Sequence, residues 1–255
     1  MMKAILFLLV VVSPAVAQKP LFQKGRQVLF DFRKERNTPP PKIPAATERM
    51  VLSKMFRRYL NDQNKCNLNF DASNNSDYLA AARKAGEIVP VIATMATGSF
   101  TAPGQTQTLY VVWVSECNAS HADAFGTKRV AIFSGQQLVA DVDANFKGHI
   151  QLKTDLNSDG VDELLMSSAD QHQGTIEEMA TLVSFQNGRL RELQDFGLVI
   201  EDTCASLMPG STSKASVLYM EVNAPSGMPT LTTENYQAGC NRAKRWRLIS
   251  RGKMQ

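Results

Sequence analysis

The sequence predicts a mainly β fold: a β-rich α+β domain built on antiparallel sheet, with one or two helices on its N-terminal side. Three observations carry this. Short apolar runs recur through the second half of the chain at roughly the spacing of an all-β domain, with Gly-, Asn- and Ser-bearing turns between them. The apolar period changes from helical to strand-like at Ile88. The composition, 44% hydrophobic and 20% charged over 255 residues, supplies ample side chains for a packed core and argues against disorder.

Taken in order, residues 1–17 read as a secretory signal peptide. Met1-Met2-Lys3 gives a positive start, Ala4 to Val12 an apolar run, and Ala15-Val16-Ala17 small residues at the cleavage positions before Gln18. That run is too short to span a bilayer, which needs about 20 apolar residues, and no later stretch qualifies. The expected location is therefore secreted or periplasmic. Residues 18–46 read as a Pro-rich basic tether, with Pro39, Pro40, Pro41 and Pro44 among Lys19, Lys24, Arg26, Arg33, Lys34 and Arg36.

Residues 47–87 form a helical segment packed on the core. Thr47 is placed to cap a helix over 47–61 with Glu48 in its first turn. Leu52, Met55, Phe56 and Tyr59 make the apolar stripe. A second short helix is expected over 77–85, closed by Gly86. Residues 88–255 form the antiparallel β domain. Leu109 to Val114 is a continuous apolar run, expected to be buried on both faces. Ser134-Gly135-Gln136-Gln137 and Asn187-Gly188 mark hairpins, the latter because both central residues need positive φ. Val217 to Val222 and Trp246 to Ile249 are further strands, with Trp246 and Leu248 facing in and Arg245 and Arg247 facing out.

An even set of four cysteines in an exported chain reads as two disulfides. Four cysteines allow three connectivities. Cys66–Cys117 with Cys204–Cys240 is favoured because each bridge then staples one end locally. No Cys-x-x-Cys pair is present, which argues against zinc and thioredoxin-like chemistry.

One segment carries chemistry. In residues 155–163, Asp155, Asn157 and Asp159 place oxygen-bearing side chains at alternate positions, Gly160 follows, and Glu163 closes the series. Ca²⁺ takes about six to eight hard oxygens. The three side chains, the Val161 carbonyl and Glu163 would supply them, while Gly160 permits the sharp turn. Asp162, between ligand positions, is expected to face solvent. An EF-hand needs an acid at the twelfth position, where Met166 stands. A strand, an Asp-x-Asn-x-Asp-Gly-x-x-Glu loop and a second strand resemble the calcium loops of FG-GAP/VCBS-type repeats over residues 145–170. The resemblance implies strands arranged as in propeller blades; the fold is thus expected to be propeller-like or a sandwich, and the Ca²⁺ to be structural. Asp141, Asp143 and Asn145 begin the same pattern, but Phe146 replaces the glycine, so that segment reads as a strand end and turn.

No nucleophile elbow, His-Glu-x-x-His or phosphate loop is present. His121 and Asp123 lack a third ligand. His172 sits in a polar turn near the acidic loop in sequence and is placed to line a pocket beside it. Basic residues around Trp246 read as the outer face of a strand, and a net charge of +4 is too mild to indicate nucleic acid. The reading is thus a Ca²⁺-binding structural or binding module without an evident catalytic site. Another envelope or extracellular protein, or a polysaccharide, fits as its partner. The alternatives are an exported hydrolase using paired carboxylates and a polyanion- or envelope-binding protein using the basic ends.

Overall fold

The computed structural model describes residues 25–34, 41–56, 88–116, 127–145, 147–206, 209–223, 227–241 and 245–253. The signal segment 1–17, the helix expected at 77–85, Cys66, Cys117, His121 and Asp123 lie outside the described residues. Among the described residues the chain forms one α-helix, a single 3-10 turn at Gln186–Gly188 and twelve antiparallel strands. They run in the order β1 (Gly25–Asp31), α1 (Ala45–Met55), β2 (Ile88–Gly98), β3 (Gln107–Glu116), β4 (Thr127–Ser134) and β5 (Gln137–Asn145). There follow β6 (His149–Thr154), β7 (Glu163–His172), β8 (Thr175–Ser184), β9 (Arg191–Asp202), β10 (Thr212–Val222), β11 (Thr230–Gly239) and β12 (Arg247–Lys253). None of the described helices is long and apolar enough to cross a membrane.

The strands make two sheets stacked as a sandwich, the second of the two architectures the sequence left open. The smaller sheet has the order β2-β3-β4-β5 and the larger β12-β11-β10-β9-β8-β7-β6, with β1 pairing on β10. Neighbours in sequence are neighbours in space, as short hairpin connections require. Ser134 pairs with Gln137 across Gly135, whose φ is 58°. Asn187 and Gly188 take φ of 60° and 71° in the turn joining β8 to β9.

Strand β3 is covered on both faces, as its unbroken apolar run demands. Leu109 and Val111 point into a core shared with Leu164, Met166 and Val183 of the larger sheet. Tyr110 and Val112 point the other way, onto Val51 and Leu52 of α1. Helix, small sheet and large sheet are thus three successive layers. Each fully buried Val, Leu or Phe side chain stabilises this stack by roughly 1.5–3 kcal/mol. The other face of the large sheet builds a core of its own from Leu29, Phe30, Leu165, Leu182, Val199 and Leu218. A sheet that packs one face against itself must curl, and this one does so without closing.

Three expectations are corrected. Residues 18–46 are not a tether throughout: Gly25–Asp31 pairs antiparallel with β10, and Leu29, Phe30 and Phe32 are buried. The apolar run Val28-Leu29-Phe30 outweighs the surrounding basic and Pro-rich composition. Helix α1 begins at Ala45, two residues before Thr47; Pro44 occupies its N-cap without a side-chain hydrogen bond, and Glu48 does lie in the first turn. Leu248 does not face a core: β12 is an edge strand, and that side chain is 38% exposed.

The disulfide Cys204–Cys240 is formed, with Cα atoms 5.3 Å apart. It ties the turn after β9 to the end of β11.

Candidate metal loop and a buried acid

Strands β6 and β7 pair up to Thr154 and Glu163, so residues 155–162 form the turn between them. Two apolar side chains anchor this turn, Leu156 and Val161, both buried. Between them the backbone reverses through Ser158 and Gly160, at φ of 59° and 84°. A side chain at Gly160 would both strain that φ and crowd Pro103, whose Cβ lies 3.0 Å from the place a Cβ would take.

The oxygens singled out by the sequence turn inward on the loop. Asp155 accepts hydrogen bonds from Asp159 N at 3.1 Å and Gly160 N at 2.9 Å. Asn157 Oδ1 accepts from Asp159 N at 2.9 Å, and Asp159 Oδ1 accepts from Val161 N at 2.8 Å. Asn157 Nδ2 donates to Asp159 Oδ2 at 3.0 Å. These are Asx-type turns, in which short acidic side chains satisfy backbone N–H groups of a tight reversal. Among the described residues no three His, Cys, Asp or Glu side chains are already gathered at metal-holding distances.

Glu163 is only 2% exposed, and Leu156 N donates to its Oε2 at 2.8 Å. Burial pushes its carboxyl up to about 7, the nearby charges of Asp159 and Asp155 push the same way, and the Leu156 N–H opposes them. Among the described residues no Lys or Arg pairs with this carboxyl. The protein therefore surrounds a buried acid with acids. The donor set, all hard oxygens in a turn a Cβ would obstruct, fits a calcium-sized cation better than a softer metal.

Asp162 does not face solvent, contrary to expectation. Its Oδ2 accepts from Ser99 N at 2.8 Å, Lys153 Nζ lies 3.3 Å from its Oδ1, and its own N–H donates to Ser99 O at 2.7 Å. A side chain at Gly98 would collide with that carboxylate. On the other flank Gly227 N donates to Asn157 O at 3.0 Å. The loop is thus a joint: it fixes the β2–β3 connection of the small sheet to the β6–β7 turn of the large one. His172 lies at the opposite end of β7, about 30 Å away at strand rise, and so does not line this site.

A second buried acid escapes any reading of the sequence. Glu234, 4% exposed, accepts from Arg26 Nη2 at 2.9 Å and from Tyr236 OH at 2.6 Å, with Arg251 Nε 3.0 Å away. Arg26 also stacks over the Tyr219 ring at 3.8 Å. The Tyr236 hydroxyl and Arg26 hold the Glu234 carboxyl down at about 2, and Glu234 in turn pushes the Tyr236 phenol up. These groups come from β1, β10, β11 and β12, and no local spacing connects them. Asp141 and Asp143, the partial repeat of the loop motif, lie in β5: Asp141 pairs with Arg129 at 2.7 Å and Asn145 turns at φ 52°.

The chain matches no family model, none of the curated proteins and none of the solved structures.

Proposed function

We propose that the chain is an exported, disulfide-braced binding module in which loop 155–163 closes on one Ca²⁺ and fastens the two sheets together. The observation that carries this reading is Glu163: a carboxyl group held almost out of solvent, beside Asp155 and Asp159, with no Lys or Arg paired to it among the described residues. Charges are buried at great cost unless paired. Asp155, Asn157, Asp159, the Val161 carbonyl and Glu163 would hold the ion, which would use lone pairs left over from the loop's own hydrogen bonds. The ion would be structural: it would neutralise converging acids and favour the folded state by mass action.

Export is supported by the signal-like residues 1–17 together with the Cys204–Cys240 bridge, which belongs to an oxidising compartment. The test is thermal unfolding of the whole secreted chain in chelator and in millimolar CaCl₂. The reading expects a higher melting temperature with Ca²⁺ and a smaller or absent shift with Mg²⁺, which demands stricter octahedral geometry. Identical melting curves in chelator and Ca²⁺ would overturn it.

A further inference from the structure

The curled sheet does not close, and residues of β1, β6, β8, β9 and β10 line a cleft of about 280 Å³. That is just under the usual range of roughly 300–1,000 Å³ for drug-sized ligands, so it has room for one ring and not several. Its lining combines aromatic side chains, among them Phe32 and the partly exposed Trp246, with polar ones.

Two carboxylates are in that lining, Glu178 of β8 and Asp202 of β9. Ile176 pairs with Asp202 and Glu178 with Ile200, so the two acids occupy the same face on a diagonal. Diagonal neighbours stand about 7–8 Å apart, close enough for one small molecule to meet both. Both are held in place by protein donors. Gln151 Nε2 donates to Glu178 Oε1 at 2.9 Å, while Cys204 N at 2.9 Å and Ser213 Oγ at 3.2 Å donate to Asp202.

Charge does not select an ionic ligand here. Lys34 and Arg33 also line the cleft, which leaves no strong excess of either sign. Arg33 is moreover committed: its Nε and Nη2 each lie 2.9 Å from Asp31, and its guanidinium stacks over Tyr236 at 4.2 Å. What remains is a set of fixed acceptors and donors that share the cleft with aromatic side chains. That set suits a molecule with hydroxyl groups around its edge and C–H groups on its faces.

We propose that this cleft is a subsite for one ring of a neutral polysaccharide, with Trp246 as the stacking surface and Glu178 and Asp202 accepting from ring hydroxyls. The site is distinct from loop 155–163 and does not depend on a cation there.

The chain has two tryptophans, and Trp113 is not part of the cleft lining. Trp246 emission therefore reports occupancy. The full secreted chain is titrated with two neutral probes, a glucose oligosaccharide and an N-acetylglucosamine oligosaccharide, at low and high salt. The proposal expects a saturable emission change with at least one probe and a similar affinity at both salts. It expects about tenfold weaker binding in Glu178→Ala with an unchanged melting temperature, and no emission change in Trp246→Phe. Glu163→Gln should bind the sugar like the wild type, which separates this proposal from the cation reading. No saturable change with either probe would overturn it, as would a response confined to heparin or spermine.

Discussion

Glu163 and Glu234 are two nearly inaccessible carboxylates in one sheet, and the protein treats them in opposite ways. Glu234 lies under a thin cover of Arg and Tyr side chains, and Arg26, Arg251 and Tyr236 complete its charge. Glu163 sits deeper and receives the Leu156 N–H, with Asp155 and Asp159 beside it. The first carboxyl is held at about 2, the second pushed up to about 7. Depth accounts for part of the contrast, since burial is the first cause at Glu163. The neighbours account for the rest. A buried acid ringed by cations is finished by the fold; one with acids beside it is completed by a proton or, on the reading proposed above, by a bound cation.

The widest separation between the two regions should come from the disulfide. Replacing Cys204 and Cys240 by Ser opens a link across a sequence separation of 36 and should cost about 4 kcal/mol in the chain-entropy account. Urea unfolding would measure it. The bridge braces the end of the curled sheet far along the strands from the loop, so the Ca²⁺-dependent gain should survive in the double variant. A Ca²⁺ response that vanished with the bridge would mean that loop and curl do not behave as separate regions.

Next in size is the cation itself. At a concentration about 100 times its dissociation constant, Ca²⁺ should add about 2.7 kcal/mol to unfolding. Glu234→Gln should leave that gain untouched, because its network lies on β1, β10, β11 and β12.

A smaller effect belongs to Glu234. Its folded pKa lies below the ordinary 4.5, so its contribution is fully present above about pH 4.5 and is lost as pH falls toward 2. Arg251 is 71% exposed and Arg26 is about half exposed, which screens both pairs. Glu234→Gln should thus destabilise by about 1–2 kcal/mol at pH 7 and by little near pH 2, as read by denaturant unfolding at the two pH values. Equal losses at both would assign the effect to packing. Tyr236→Phe should cost least, about 0.5–1.5 kcal/mol, since it removes one hydrogen bond and leaves both arginines in place.

Much of the scaffold was legible because its signals are local. An unbroken apolar run such as Leu109–Val114 can be satisfied only between two layers. Asn187-Gly188 and Gly135 mark turns because few other residues accept their φ. Alternating oxygens at Asp155, Asn157 and Asp159 identify an acidic turn without knowledge of its surroundings. What escaped depends on distance along the chain. Strand β1 hides inside a basic segment, and only its partner β10 shows why Leu29 and Phe30 are buried. Arg26 and Glu234 are 208 residues apart and meet only through the pairing of β1, β10 and β11. Asp162 reads as solvent-facing until Ser99 arrives from another sheet to bond it.

The central claim is that Glu163 awaits a cation. Calorimetric titration of Ca²⁺ into the chelator-treated wild-type chain and into Glu163→Gln tests it most directly. The account predicts one saturable binding event in the wild type and its loss or at least tenfold weakening in the variant. The Leu156 N–H contact is expected to persist, since an amide oxygen can still accept it. Absence of binding heat in the wild type across several temperatures, or equal binding by both chains, would contradict the account.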